Sequence, residues 1–267
     1  MAITTLDGAI AGMQPMRQFA KAVTGTMVAG RPISTWGLGG NPGAGSYDTT
    51  LNGVTRDRTT AGAIDFTNPS SGNSYLASFL GSATIAGTLI LCDRIWENGG
   101  YTITSTSAQN STTPTFGSRD NAASSNGDGY LAGVEISSAT GAGTPTITLG
   151  YTNQSGTASR SATNSDATVA SSAARTFYRL GLQSGDTGIR SVQSLTLSAT
   201  WTSGTMNLVV YRPLKSIPIT SAFVPAQLDA VTAAFARVMD SSCLFFLFVP
   251  STTTTSNISG EVGWTQG

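Results

Sequence analysis

Histidine is absent from this chain of 267 residues, and charged side chains are scarce. Without an imidazole there is no Ser-His-Asp or Cys-His nucleophile pair and no zinc motif that contains histidine. Two cysteines are also too few for a zinc site of four thiolates. Charged residues make up 10% of the sequence, whereas globular domains have about 25%. The sequence therefore predicts a protein that is not an enzyme and has no cofactor and no metal site.

Net charge is lacking as well, because 14 lysines and arginines balance 14 acidic residues. A neutral chain has no long-range attraction for nucleic acid or for an anionic membrane, so neither is an expected partner. It also lacks the charge repulsion that keeps monomers apart in solution. The balance of charge therefore favours an assembled state, most simply a homo-oligomer.

Long apolar runs are missing too. No stretch reaches the ~18 apolar residues of a transmembrane helix. The first residues lack the basic region and the continuous apolar core of a secretory signal. The sequence thus predicts a protein that is made in the cytoplasm and is not exported by such a signal.

The two cysteines, Cys92 and Cys243, both lie in apolar runs. Two are too few for a disulfide framework. Buried free thiols that pack as small apolar side chains are one interpretation. The alternative is a disulfide between them, because both lie on predicted core strands.

Glycine, serine and threonine are abundant where charge is scarce, with 31 glycines in the chain. Threonine favours strands, whereas glycine and serine favour turns. Apolar residues alternate with polar ones in 147–149 and 192–197, which places them on one face of a strand. Strands are predicted at 74–80, 83–92, 100–105, 130–137, 144–151, 175–182, 191–199 and 204–212, then at 244–249 and 258–264. Short strands at this spacing favour a mainly β fold with a β-sandwich or jelly-roll-like body.

Two helices are predicted outside the strands. Residues 6–23 have apolar positions at steps of three and four, with a kink or break at Pro15. In residues 223–238 the apolar positions recur at alternating steps of four and three, and Pro225 lies in the first turn. The apolar positions of this second helix are Val224, Leu228, Val231, Phe235 and Val238.

Residues 25–63 are rich in glycine, proline, asparagine and aspartate, which predicts an extended arm with a short strand at 27–28. Long arms without regular structure are uncommon in compact domains. In an assembly such an arm can lie on a neighbouring subunit. The predicted division is therefore residues 1–63 as an N-terminal helix and arm, and 64–267 as the β domain that includes the helix at 223–238.

Opposite charges stand side by side at 56–58, 93–94 and 119–120. Surface pairs of this kind contribute little to stability. Alternatively they form salt bridges between subunits, because arginine is the preferred interface cation. The candidate interface residues are Arg31, Arg56, Asp57, Arg58, Asp93, Arg94, Trp96, Arg119 and Asp120.

Two sets of residues leave room for other activities. Asp93, Glu97, Asp128 and Glu135 are the acids that a glycosidase-type carboxylate pair would draw on, although surface or turn positions are the simpler interpretation. The tryptophans could stack on sugars, but burial is their commoner fate; they are Trp36, Trp96, Trp201 and Trp264. The segment 126–129 lacks the ligand spacing of a calcium loop and is interpreted as a tight turn.

Several stretches carry a resemblance to known proteins: residues 83–96, 141–154 and 185–198, together with the Leu6-Asp7 segment and residues 25–32. In these stretches the chain resembles structural proteins of tailed bacteriophages. The resemblance covers most of the chain and includes no catalytic motif. It implies a virion component that is made in the host cytoplasm, with the major capsid protein or other virion proteins as partners.

Within a virion, a β-rich domain with a long arm suits a capsid decoration (cement) protein, which bridges capsid subunits and is typically a trimer. A tail fibre would show long repeats, and a major capsid protein would have a long spine helix. The alternatives are a neck, tail, baseplate or head-fibre component. A module that binds host glycans belongs to a different class, and a carboxylate-based glycan hydrolase ranks last.

Overall fold

The computed structural model describes residues 3–23, 25–111, 116–234 and 236–267. Over these residues the chain forms one short helix, α1 (Leu6–Ala11), and seventeen strands. The strands are β1 (Arg17–Val23), β2 (Ile33–Ser34), β3 (Gly40–Asn41), β4 (Val54–Thr55), β5 (Ser74–Ala83), β6 (Gly87–Asn98), β7 (Gln109–Asn110), β8 (Leu131–Ser138), β9 (Ile147–Asn153), β10 (Arg160–Asn164), β11 (Phe177–Gly181), β12 (Ile189–Leu197), β13 (Thr205–Ile219), β14 (Ala226–Asp229), β15 (Arg237–Val238), β16 (Leu244–Pro250) and β17 (Ser256–Gln266).

The strands form two antiparallel sheets. The smaller sheet has the order β14-β5-β17-β1-β3, with β15 also paired to β5. The larger sheet has the order β2-β16-β6-β13-β8-β11-β10-β9-β12-β7, with β4 also paired to β6. The mainly β fold that the sequence predicts is confirmed.

The first core lies between the two sheets. In β1 the side chains of Phe19, Lys21 and Val23 are buried and the alternate residues are exposed, as a strand with one buried face requires. From the larger sheet, the ring of Phe246 in β16 lies 4.2 Å from Phe19 and 5.7 Å from Phe79 of β5, centroid to centroid. Aromatic contacts thus join the two sheets across the core between them.

The second core lies within the larger sheet. Strands that are distant in its order place side chains in one cluster, among them Val134 of β8, Leu149 of β9 and Leu195 of β12. The sheet therefore curls over its own inner face. Strands β6 and β13 are the longest and contribute to both cores, so they join the two parts of the body.

The helix predicted over 6–23 is wrong beyond Ala11. The hydroxyl of Thr5 caps α1 by accepting a hydrogen bond from the Gly8 N–H at 3.0 Å, and the helix ends at Gly12. Pro15 lies between the helix and β1 and has no N–H to donate. The segment 17–23 contains small alanines on its outer face, so its apolar positions match both a helical and a strand period.

The helix predicted over 223–238 is also wrong. Residues Ala226–Asp229 form β14 on the edge of the smaller sheet, and Arg237–Val238 form β15. Ala226 and Leu228 pack on the core while the residues between them are exposed, so a period of two is satisfied there. The Asp229 carboxylate accepts hydrogen bonds from Thr232 and so stabilises a turn between the strands. Phe235, named in that prediction, lies outside the described residues.

Most of the predicted strands are present, with shifted ends. The segment 100–105 is wrong, because it forms turns that bury Tyr101 and Ile103 without pairing as a strand. Residues 27–28 form no strand either. Strand β10 was not predicted, since Ala162 is its one buried residue and gives no periodic signal.

The segment 25–63 is extended, as predicted, but it lies against its own chain. Strand β2 pairs with β16, β3 with β1 and β4 with β6. The side chain of Trp36 within the segment has no exposed surface. The pairing of β1 with β17 also joins the two predicted parts of the chain in one sheet, and the division at residue 63 stays a prediction.

No helix within the described ranges is long and apolar enough to cross a membrane.

The substitution Phe246→Ala is expected to lower the free energy of unfolding by about 3–5 kcal/mol, because it leaves a cavity between Phe19 and Phe79. Urea unfolding followed by tryptophan fluorescence measures this change. The exposed Val28→Ala is the control and should shift stability by less than about 0.5 kcal/mol. Equal effects of the two substitutions would contradict the packing described here.

Candidate functional site

A buried cluster of charges surrounds Arg94 of β6. This side chain has no exposed surface. Its Nη1 donates to Oε2 of Glu135 at 2.7 Å, and its Nε donates to Oε2 of Glu97 at 2.6 Å. Its guanidinium carbon also lies 4.8 Å from the ring centroid of Trp36, within the range of a cation–π contact. One guanidinium therefore joins two buried carboxylates from neighbouring parts of the larger sheet.

The segment 44–58 completes this cluster. Nη2 of Arg56 donates to Oε1 of Glu97 at 2.5 Å, and the hydroxyl of Tyr47 donates to Oε1 of Glu135 at 2.6 Å. The N–H of Asp48 donates to the same Glu97 oxygen at 2.9 Å. Charge-assisted hydrogen bonds are about twice as strong as neutral ones. The cluster thus holds the extended segment on the body of its own chain.

The ionisation of the cluster follows from these contacts. Burial raises the pKa of Glu97, but the charges of Arg94 and Arg56 outweigh it and hold that pKa below its ordinary value. Burial and the adjacent Glu135 raise the pKa of Tyr47 far above its ordinary value. Glu97 is therefore ionised and Tyr47 protonated, as their hydrogen bonds require. Every oxygen of the two carboxylates accepts a hydrogen bond and neither residue is exposed, which is the arrangement of a structural ion cluster.

A second buried pair lies beside the first. Nη1 of Arg119 is 3.0 Å from Oδ1 of Asp93, and Ser242 Oγ donates to Oδ2 of Asp93 at 2.6 Å. The N–H of Cys243 also donates to Asp93, at 2.8 Å. Nη2 of Arg119 donates to the carbonyl oxygen of Arg56 at 2.6 Å. This pair therefore ties β6, the start of β16 and the segment 44–58 together.

Asp120 organises the turn that includes 126–129. Its carboxylate accepts hydrogen bonds from the N–H groups of Ser124 and Gly127 at 2.6 and 2.9 Å. Burial raises the pKa of Asp120, but these bonds and the Ser124 hydroxyl hold it below its ordinary value. Gly127 and Gly129 both have φ of +79°, a conformation that glycine adopts without strain. The turn interpretation of this segment is confirmed, and Asp128 accepts a hydrogen bond from Thr187 at 2.6 Å.

The structure places most of the candidate interface residues inside the chain. Six have at most 8% of their surface exposed: Arg31, Asp93, Arg94, Trp96, Arg119 and Asp120. Arg56 is partly buried against Glu97. The charged groups of Asp93, Arg94 and Arg119 meet their partners within one chain, so salt bridges to a second subunit do not account for them. Asp57 and Arg58 are partly exposed, and an interface role for them stays a prediction.

The main partners in the cluster, Glu97 and Glu135, entered the sequence analysis only as candidate catalytic acids. Their signal is an acidic residue inside an apolar strand, at 95–97 and 134–136. Such a residue is buried only when it is paired. An acidic residue inside an apolar strand therefore indicates a buried ion pair, but the sequence does not identify the arginine that pairs with each acid.

The tryptophans and cysteines are buried. Trp36, Trp96, Trp201 and Trp264 are at most 1% exposed, so none presents a ring for stacking on a sugar. Cys92 and Cys243 are free, which confirms the thiol interpretation. Burial raises the pKa of both thiols, which keeps them in the unreactive protonated form.

Lys21 is a buried cation without a carboxylate among its hydrogen-bond partners. It is 3% exposed, and its Nζ donates to the carbonyl oxygens of Leu38 and Gly43 at 2.9 and 3.0 Å. Burial lowers its pKa from 10.5 to about 8. The amine thus anchors the loop 38–43 to β1. Because its pKa is shifted on folding, its contribution to the free energy of unfolding depends on pH.

Exposed apolar side chains concentrate in two segments. Of the eight large apolar residues that are exposed in the described part of the chain, seven lie in 6–16 and 223–231; they are Leu6, Ile10, Met13, Met16, Phe223, Val224 and Val231. Leu6 and Val231 line the same surface groove. Exposed apolar side chains that line a shared groove favour an interaction surface there.

No protein-family model matches this sequence, and no curated protein matches it. Among solved structures, the chain is similar to the VP2 subviral particle of infectious bursal disease virus, with 8% identity, coverage of 96% of this chain and 81% of that chain, and a TM-score of 0.19. The structure of the Gt strain of the same virus gives 7% identity, the same coverages and a TM-score of 0.20. Similarity at this level carries no argument about fold or function.

The substitution Glu135→Gln is expected to lower the free energy of unfolding by about 3–5 kcal/mol, because Arg94 and Arg56 then share the single carboxylate of Glu97 and the buried cluster has one positive charge in excess. Denaturant titration at neutral pH measures the loss. Asp65→Asn removes the surface pair with Arg17 and should cost less than about 1 kcal/mol. If the two losses were similar, the cluster would not have the structural role described.

The substitution Lys21→Met is expected to remove a pH dependence of stability between pH 8 and 10.5. In that range the unfolded lysine binds a proton that the folded one has lost, so wild-type stability rises with pH. Relative to the variant, the wild type should gain roughly 3 kcal/mol across the range. The difference between the two proteins isolates Lys21, since the cysteines and tyrosines titrate in both. A difference that does not change with pH would contradict the shifted pKa.

Proposed function

We propose that this chain is a structural protein of a virus particle that acts by packing against other subunits. One observation carries the proposal: seven of the eight large apolar residues that are exposed in the described part of the chain lie in the segments 6–16 and 223–231, and two of them, Leu6 and Val231, line one groove. Exposing this surface to water is unfavourable, and burying it against another subunit recovers about 25 cal/mol for each Å². The segments 6–16 and 223–231 are therefore suited to packing against another subunit.

The rest of the surface supports the same role. The arginines and acids of the two clusters are used internally, and the chain has no net charge. The outer face of the smaller sheet has small and hydroxyl side chains, such as Ala20, Ser82 and Ser259, which permit close approach of another surface. The similarity of several segments to structural proteins of tailed phages supports a place in a phage particle.

Within the particle the proposed position is the outer surface of the head, where the chain acts as a decoration protein that binds the major capsid protein and stabilises the shell. A homotrimer is the favoured state. A neck, tail, baseplate or head-fibre position is the alternative. Binding of glycans by stacking on tryptophan is not supported, because all four rings are buried. No enzymatic activity is proposed.

Quantitative mass spectrometry of purified particles is expected to find this chain in hundreds of copies, as a decorated shell requires. A few dozen copies or fewer would place it in the neck, tail or a fibre, and its absence from particles would contradict a structural role.

Binding to assembled capsids that lack the chain tests the apolar surface directly. The double variant Ile10→Glu, Met13→Glu is expected to lose binding while it keeps its melting temperature, because both side chains are exposed. Asp65→Asn, which changes an exposed polar position, is the matched control. Full binding by the double variant would rule out this surface as the contact.

A further inference from the structure

Phe223 is an exposed aromatic residue in a strained backbone conformation. Its φ is +62° and 76% of its surface is exposed. Its N–H donates to the carbonyl oxygen of Ala83 at 2.8 Å, which fixes the base of the loop to the end of β5. A bulky residue at positive φ costs of order 1–3 kcal/mol, and such strain concentrates at functional positions. Within the monomer the exposed ring gains nothing that offsets this cost.

An apolar groove lies near the other end of β14. It has a volume of about 320 Å³ and is open to solvent. Its lining is formed by Ile3, Thr4, Thr5, Leu6, Ala9 and Val231. A groove of this size and apolar character accommodates an aromatic ring, and a buried aromatic anchor is the typical dominant contact of an interface.

The ring and the groove of one chain are too far apart to meet. Phe223 is bonded to Ala83, whereas Val231 follows Asp229, which pairs with Ser78. Ala83 and Ser78 are five residues apart on β5, a span of about 17 Å at about 3.3 Å per residue. The ring of Phe223 therefore stays exposed and the groove stays empty unless a second molecule supplies a groove for the ring and a ring for the groove.

We propose that Phe223 of one copy inserts into the groove of a second copy, so that identical chains associate head to tail. This proposal rests on the proposed function and names the chain itself as one assembly partner. The contact is heterologous: such contacts form a ring, for example a trimer, where the rotation between copies closes, and an open filament where it does not. The zero net charge of the chain removes the repulsion that would oppose it.

A mixing experiment tests the direction of the contact. Phe223→Asn removes the ring, and asparagine tolerates positive φ, so the loop is retained. Leu6→Glu with Val231→Asp places charge in the groove at two exposed positions. By light scattering the wild type is expected to form an oligomer and each variant to have the monomer mass of 27.3 kDa. An equimolar mixture of the two variants should form a dimer, because one intact ring and one intact groove remain.

Val28→Asn, which alters an exposed apolar residue outside both features, is the control and should retain the wild-type mass. A monomeric wild type at its highest soluble concentration, variants that keep the oligomer, or a mixture that stays monomeric would each overturn the proposal. Absence of the chain from particles would overturn the proposed function instead, and the mixing result would stand independently of it.

Discussion

The guanidinium of Arg94 is the constraint on which the rest of the structure depends. It lies on β6, which contributes to both apolar cores, and it binds carboxylates from β6 and β8. Removing these charges from water is costly, and their mutual attraction compensates only when the geometry is good and every remaining lone pair is satisfied. Tyr47 and Arg56 supply the missing donors, so the segment 44–58 has one favourable position on the sheet. The cluster thereby specifies where a long, irregular segment must lie.

This internal use of charge accounts for the character of the surface. Arginines that looked available for partners are bonded to carboxylates and carbonyl oxygens of the same chain, as Arg94 and Arg119 show. The surface is rich in small and hydroxyl side chains, and its exposed large apolar residues lie mostly in 6–16 and 223–231. Such a surface gives little long-range steering and favours contacts that depend on shape and apolar burial.

The sequence predicts the strands where apolar and polar residues alternate, and β9 and β12 are examples. It fails where a short segment satisfies two periods at once: Phe19 and Val23 are four apart, as on a helix face, yet they share the inner face of β1. For the ion cluster, the sequence predicts only that an acidic residue inside an apolar strand needs a buried partner. Which partner it has depends on the sheet order, because β13 lies between β6 and β8 and no local pattern reveals that neighbour.

The attachment of the Phe223 loop to the smaller sheet determines how this loop presents its ring. The loop that carries Phe223 is anchored to β5 at one end and continues into β14 at the other, so the ring is held in its exposed position before any partner arrives. The proposed association would order few additional groups, and preorganisation of this kind lowers the entropic cost of binding. The bond to β5 and the continuation into β14 fix the loop of Phe223 at both ends, and the cluster around Arg94 fixes the segment 44–58 on the larger sheet.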